Sequence, residues 1–319
     1  MKSPQVSVII PTYNRAHLLP RAINSVLNQT FQDFELIIVD DGSTDNTKEV
    51  VRGFKKKKIV YLKHDKNKGA NTARNTGIKN SKGEYMALLD SDDEWLPEKL
   101  EEQLRIFTKS AVVNLGIVGC DIFYVFNNLR KERIYNYYQK DVLNQFLQGN
   151  FFQGGGSAAL IKKKVFNEIG LFDESLNCWQ DWDMWIRIAQ RYNFDFVRQA
   201  LAKYYLIHNE SIFRDRSNQG TIRRAEGMLK VLEKHTNLFD KYSKLKARQL
   251  KGTALRNLGT VNLLLGNRKK AREYFIKSTK TNPSLRNILT FLLFLISKDL
   301  YIKILNIKRK LSEKYYDSS

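Results

Sequence analysis

The chain has 319 residues, room for one large domain and a smaller appendage. Its two cysteines, Cys120 and Cys178, exclude a disulfide-stapled scaffold and stand at no metal-ligand spacing, so a reducing compartment is expected. The net charge of +21 is uneven: residues 221–319 hold 23 Lys/Arg against 7 Asp/Glu, leaving 31 against 26 for residues 1–220, so an anionic partner is expected for the C-terminal third alone.

Met1-Lys2-Ser3-Pro4-Gln5 passes directly into Val6-Ser7-Val8-Ile9-Ile10, with no charged n-region ahead of a long apolar stretch; a secreted protein is not expected. From residue 1 to about 210, apolar β-type runs alternate with helix-like stretches, the order of an α/β domain with a largely parallel sheet. Strands are expected at 6–10, 34–40, 58–64 and 85–90. Leu18, Leu19, Ala22, Ile23, Val26 and Leu27 recur at helical spacing, and 44–54 and 70–81 also read as helices.

Open parallel sheets bind ligands beyond the carboxyl ends of their strands, and there the polar residues collect. The first strand runs into Pro11-Thr12-Tyr13-Asn14, the second into Asp40-Asp41-Gly42-Ser43 and the fourth into Asp90-Ser91-Asp92-Asp93-Glu94. Asp-Asp-Gly-Ser also makes a good turn and helix cap. The third tip is different, because acids at that density repel unless a cation or water separates them. Hard cations such as Mg²⁺ or Mn²⁺ take one or two protein carboxylates and complete their shell with substrate phosphates, and Asp90-x-Asp92 suits that. No GxxxxGK[ST] and no GxGxxG follows a strand, which sets aside kinase and dinucleotide-oxidoreductase readings.

Val-Ser-Val-Ile-Ile-Pro-Thr-Tyr-Asn-Arg (6–15), Val-Asp-Asp-Gly-Ser-Thr-Asp-Asn-Thr (39–47), Ala-Arg-Asn-Thr-Gly-Ile (73–78) and Leu-Asp-Ser-Asp-Asp (89–93) resemble, in this order, the donor half of a family 2 glycosyltransferase with the GT-A fold. The resemblance implies a nucleotide-sugar donor, UDP-linked by preference, and Mn²⁺ or Mg²⁺. It places Pro11 and Thr12 at the base pocket, Asp41 on the uracil ring (Asp40 being the alternative), Arg74 near base and phosphate, Asp90 on the ribose and Asp92 on the metal. His208 resembles the family's histidine that can complete the metal shell, a structural role being the alternative; for His17, His64 and His235 surface or capping roles suffice. Asp93 and Glu94 are read as caps of a helix beginning near Pro97.

Farther on, Gly154-Gly155-Gly156-Ser157 permits close backbone approach. It precedes Ile169-Gly170-Leu171-Phe172-Asp173 and Cys178-Trp179-Gln180-Asp181-Trp182-Asp183, again in the family's order. Inverting transfer needs a base opposite the leaving group. Asp181 is the candidate and Asp183 its rival, although both would be stabilised in the first turn of a helix at 180–192 in any case. The family usually has Glu-Asp where this chain has Gln180-Asp181. Trp182, Trp185 and Ile186 read as core.

The expected division is 1–215 for the GT-A domain and 216–319 for an all-α region. Within the latter, 252–285 resembles a single tetratricopeptide-type hairpin through Leu255, Leu258-Gly259, Gly266, Ala271, Phe275 and Pro283. The apolar run 288–296 is too short to cross a bilayer. With Ile304, Ile307, Leu311 and the basic Lys303 and Lys308-Arg309-Lys310, residues 286–312 instead suggest an amphipathic segment on an anionic membrane surface, or a buried helix of the bundle.

The reading is therefore a metal-dependent inverting glycosyltransferase, cytoplasmic and peripheral on the inner face of the cell membrane. It would serve a glycan or lipid-linked acceptor in cell-surface polysaccharide or glycoconjugate synthesis. The rivals are a catalytically silent sugar-binding relative, a sugar nucleotidyltransferase, whose N-terminal phosphate signature is missing, and a nucleic-acid binder. The basic third carries no nucleic-acid-binding motif, so no nucleic-acid partner is expected.

Overall fold

The computed structural model describes residues 3–54, 58–126, 129–133, 141–152, 154–205, 215, 217–297, 300–304 and 307. His208 and the basic run 308–310 lie outside them. Contacts divide the chain into two units, residues 1–207 and 208–319.

In the first unit, every residue of β1 (Val6–Thr12) is buried, as a parallel strand covered on both faces requires. After α1 (Leu19–Leu27), which buries Leu19, Ala22, Ile23 and Val26, β2 (Phe34–Asp40) pairs in parallel with β1 from Val6↔Phe34 to Thr12↔Asp40. After α2 (Thr47–Gly53), β3 (Ile59–Lys63) extends the sheet beside β2. The chain then returns through α3 (Ala70–Asn80) to β4 (Tyr85–Leu88), on the other side of β1. This reversal of strand order opens a crevice at the ends of β1, β2 and β4. Pro11 sits inside β1 without cost, because pairing with β4 stops at Ile9↔Leu88 and no donor is needed on that side. The close seat of α3 on the sheet depends on Gly77, where a Cβ would stand 2.4 Å from Ile9 Cγ2.

The rest of the unit is β5 (Glu94–Trp95), α4 (Lys99–Lys109), β6 (Leu115–Phe126), β7 (Leu129–Arg133), α5 (Val142–Gln148), a 3₁₀ turn at Gly155–Ala158, β8 (Leu160–Lys162), α6 (Lys163–Ile169), α7 (Gln180–Ala189) and β9 (Asn193–Tyr205). The described strands run β3-β2-β1-β4-β8-β6-β9-β5, with β7 on β6. The sheet is mixed, not parallel throughout: β8 is antiparallel to β4 and β6, whereas β6 and β9 are parallel. The sequence reading did not pick out β6 and β9, the longest described strands. Their ladder carries irregularities between Leu115 and Ile117 and around Asp121, so neither strand keeps a clean period of two. The strand expected at 85–90 ends at Leu88, which leaves Leu89 and Asp90 in the loop.

The second unit is helical in its described residues: α8 (Asn218–Lys234), α9 (Thr236–Tyr242), α10 (Lys244–Leu264), α11 (Arg268–Thr281) and α12 (Leu285–Ile296). Helices α10 and α11 form a hairpin whose close approach needs Gly259, where a Cβ would meet Phe275 at 2.7 Å, and it is tied by Ser278 Oγ donating to the Gly252 carbonyl at 2.7 Å. On α12, Phe294 joins a core with Leu263, Ala271, Phe275 and Tyr301. Leu285, Leu289, Leu292, Leu295 and Ile296 stay exposed. Among the described residues no helix is long and apolar enough to cross a membrane.

Candidate active site

The crevice is built by three loops hydrogen-bonded to one another. The β1–α1 loop docks on the β2–α2 loop through Asn14 N to Ser43 Oγ (2.9 Å), Thr44 N to Asn14 Oδ1 (2.8 Å) and Ala16 N to Asp45 Oδ2 (3.0 Å). Asp40 accepts from Ser43 N at 2.7 Å and from the Tyr61 hydroxyl. Asp41 accepts from Lys68 N and Gly69 N at 3.0 and 2.7 Å and meets His64 Nδ1 at 2.7 Å, while the other ring nitrogen of His64 meets Thr76 Oγ1 at 2.9 Å. Both carboxylates thus shape the pocket wall, and His64 is an internal strut, not the surface residue the sequence suggested. Thr12 is different: among the described residues its buried Oγ1 has no hydrogen-bond partner.

The motif Ala73-Arg74-Asn75 is explained by what each residue touches. Asn75 exchanges hydrogen bonds with the backbone of Phe172, and Asn71 donates to the carbonyls of Asp173 and Leu176, so α3 holds the segment that leads into α7. Between them Arg74 Nη2 donates to Asp90 Oδ1 at 2.6 Å. Burial works against its charge, but Asp90, and beyond it Asp181 and Asp92, hold the guanidinium more basic than usual. Arg74 is therefore the positive centre about which the three candidate acids gather.

The acid run resolves into four separate roles. Asp90 pairs with Arg74, and Asp92 Oδ2 pairs with Arg15 Nη1 at 2.7 Å. Asp93 accepts from Ser157 Oγ at 2.6 Å, and Glu94 pairs with Lys203 and accepts from the Tyr205 hydroxyl. The capping role expected of Asp93 and Glu94 is thus corrected: α4 begins at Lys99 after Glu98, and these two acids fasten the loop to the strands behind it. Burial raises the Asp92 carboxyl above its ordinary range, Arg15 opposing and Asp90 adding to the rise; Asp93, buried beside both, is raised further. Glu94 moves the other way, since Lys203 and Tyr205 outweigh its burial.

Opposite lies Asp181, in the first turn of α7. Gly155, at φ 50°, passes so close that a Cβ would stand 3.2 Å from Asp181 Oδ2. Asp181 accepts from Trp182 N at 2.9 Å and from Asn150 Nδ2 at 3.2 Å, and burial raises its carboxyl above the usual range against the pull of these donors and Arg74. Asp183 is a different group. Fully enclosed, it pairs with Arg187 at 3.0 Å, and Arg187 donates to the carbonyls of Ile169 and Leu171. Two features here were not legible in sequence: among the described residues the buried oxygens of Asn150 and Gln180 lack partners, and Trp179 enters α7 with φ 64°, an uncommon conformation for a bulky residue.

Among the described residues no group of three or more His, Cys, Asp or Glu could hold a metal. The donor set at Asp90 and Asp92 is two partly exposed hard oxygen ligands with Arg15 standing where a cation would balance charge. That fits a cation whose remaining ligands come from phosphates and water; His208 cannot be placed.

With this fold, the chain is a glycosyltransferase. The model for Glycosyl transferase family 2 matches residues 7–170, and the chain belongs to that family. It is 33% identical over 252 residues, 76% of each chain, to an uncharacterised glycosyltransferase of Rickettsia typhi. It is 43% identical over 107 residues to the UDP-Glc:alpha-D-GlcNAc-diphosphoundecaprenol beta-1,3-glucosyltransferase WfgD of Escherichia coli, a stretch that is 34% of this chain and 42% of that one. Among solved structures, the mannosyltransferase PcManGT of Pyrobaculum calidifontis, in complex with GDP-Man and Mn2+, superposes over 95% of this chain and 86% of its own with a TM-score of 0.56 at 17% identity. The GT-A reading of the fold and the reading of the chain as an enzyme both stand.

Proposed function

We propose that this glycosyltransferase moves a sugar from a UDP-linked donor to a lipid-linked glycan acceptor in cell-surface polysaccharide synthesis, with inversion at the anomeric carbon and a divalent cation, Mn²⁺ or Mg²⁺. The observation that carries the reading is the grouping of Asp90, Asp92 and Asp181 around Arg74 in the switch-point crevice. The WfgD stretch supports a UDP-sugar and a diphosphoundecaprenol acceptor. PcManGT supports a metal, although its donor carries guanine.

Pro11 and Thr12 border the base, Thr12 Oγ1 offering its unsatisfied hydrogen bond, and Asp41, through the 64–69 turn it holds, shapes the same wall. Asp90 faces the ribose and Arg74 the phosphates. Asp92, with His208 as a second protein ligand, would hold the divalent cation, which would supply charge neutralisation for the departing diphosphate. Asp181 takes the proton from the attacking hydroxyl as the new C–O bond forms and the bond to the diphosphate breaks, and its raised affinity for protons makes it a stronger base than an ordinary carboxylate.

The enzyme works at the inner face of the cell membrane, its exposed α12 leucines meeting the bilayer and the basic third meeting anionic head groups. Asp92→Ala is expected to lose most activity together with metal-dependent donor binding. Release of UDP from UDP-sugars by the purified chain, with and without Mn²⁺, is the direct assay; no release from any UDP-sugar, with or without acceptor lipid, would refute the proposal.

A further inference from the structure

Arg15 makes the described ion pair on Asp92, the residue proposed to hold the metal. Its backbone is clamped on both sides: Asn14, at φ 51°, is tied to Ser43 and Thr44, and Ala16 N to Asp45. The side chain is thereby aimed across the crevice from the β1–α1 loop to the β4–β5 loop. The ion pair keeps water access, with the two side chains 23% and 18% exposed, so its exchange is not trapped by burial.

The Asp92 loop does not depend on this contact. Arg21 Nη2 donates to the Asp92 carbonyl at 2.5 Å, with its guanidinium held 3.5 Å above the Tyr205 ring. Asp93 N reaches the Asp90 carbonyl, and Asp90 N and the Asp93 carboxylate share Ser157 Oγ. Arg15 neutralises Asp92 where Arg21 and Ser157 position it. A divalent cation and a guanidinium on one carboxylate repel each other, so binding of the first weakens the hold of the second. The nearest new anion is the diphosphate that arrives with the cation, and a guanidinium fits phosphate as well as carboxylate.

We propose that Arg15 is a partner-exchanging residue, holding the Asp92 carboxylate in the cation-free protein and passing to the donor's diphosphate when the cation takes its place. This rests on the metal reading of Asp92. It makes Arg15 an opponent of metal alone and a helper of metal and nucleotide together, so cation and donor bind cooperatively by one side-chain swing.

The test is Arg15→Ala in the full chain, with Mn²⁺ binding followed by the electron-spin-resonance signal of free ion and UDP binding by calorimetry. Without nucleotide, Mn²⁺ should bind about two- to fivefold more tightly than to wild type, the worth of a partly exposed ion pair. At saturating Mn²⁺, UDP should bind about tenfold more weakly, the worth of a charge-assisted hydrogen bond. Arg15→Lys should recover part of both. Mn²⁺ affinity that is unchanged or weaker in Arg15→Ala makes Arg15 a brace and overturns the inference, as does unchanged UDP affinity. If wild type binds no Mn²⁺, or Asp92→Ala binds it equally well, the metal reading fails and takes this inference with it.

Discussion

The two units of the chain depart from the ordinary inside-outside rule in opposite directions. In residues 1–207 the departures that cluster are polar and internal: among the described residues Thr12, Asn150 and Gln180 keep buried oxygens without partners, and carboxylates crowd at strand ends. In residues 208–319 they are apolar and external, with Leu285 and Ile296 of α12 more than 70% exposed. An unsatisfied buried oxygen costs free energy until a hydrogen-bonding ligand arrives, and an exposed leucine face until an apolar surface does. Under the proposed function, donor and acceptor chemistry fall to the first unit and docking to the second.

The largest expected effect breaks the first side of that contrast. Asp181→Asn should lower kcat by about 10²- to 10⁴-fold, the range of a lost general base, while UDP affinity stays near wild type. Asp183→Asn should reduce thermal stability, because it loosens Arg187 from the loop it holds, and its turnover per folded molecule should stay within a few-fold of wild type. Near-normal turnover in Asp181→Asn with loss in Asp183→Asn would exchange the two assignments.

Next is the second unit's own packing. Gly259→Val puts carbon atoms where Phe275 already stands, and overpacking of that kind costs about 1–3 kcal/mol. A lower melting temperature should follow, with turnover on a water-soluble acceptor unchanged. The double variant Leu289→Ser and Leu292→Ser should show the reverse pattern: unchanged melting, and about tenfold weaker flotation with anionic vesicles for roughly 1.4 kcal/mol of lost apolar contact. Flotation equal to wild type would remove the docking role from α12.

The smallest effect concerns protons. Asn150 donates to the Asp181 carboxylate and so favours its charged form. Because transfer needs that form, kcat/KM should rise with pH through a midpoint above the ordinary carboxylate range. Asn150→Ala removes a donor, so the proton is held more tightly and the acid limb should move to higher pH. A limb that moved to lower pH would contradict the sign.

What the sequence disclosed and what it withheld follow from separation along the chain. The strand tips were legible because each is one continuous run, apolar residues followed by Thr12, Asp40-Asp41 or Asp90–Asp93, and a parallel sheet collects such tips at one edge. Arg74 and Asp181 were reached only through the family resemblance, and the structure supplies their reason in the hydrogen bonds of Asn71 and Asn75 to the loop before α7. Asp93 and Glu94 were misread as caps because their partners, Ser157 and Lys203, lie 64 and 109 residues away. His64 was passed over for the same reason: its bridge from Asp41 to Thr76 leaves no mark in the spacing. The second half of the sheet was hidden by the irregular register of the parallel pair β6 and β9.

Metal-dependent donor binding through Asp92 can be measured by calorimetry of UDP with the full chain, with and without Mn²⁺. Mn²⁺ should strengthen UDP binding to the wild-type chain by tenfold or more, and Asp92→Ala should bind UDP weakly and equally with or without the ion. Tight UDP binding that ignores Mn²⁺, or an Asp92→Ala variant that still responds to it, would contradict metal dependence through Asp92.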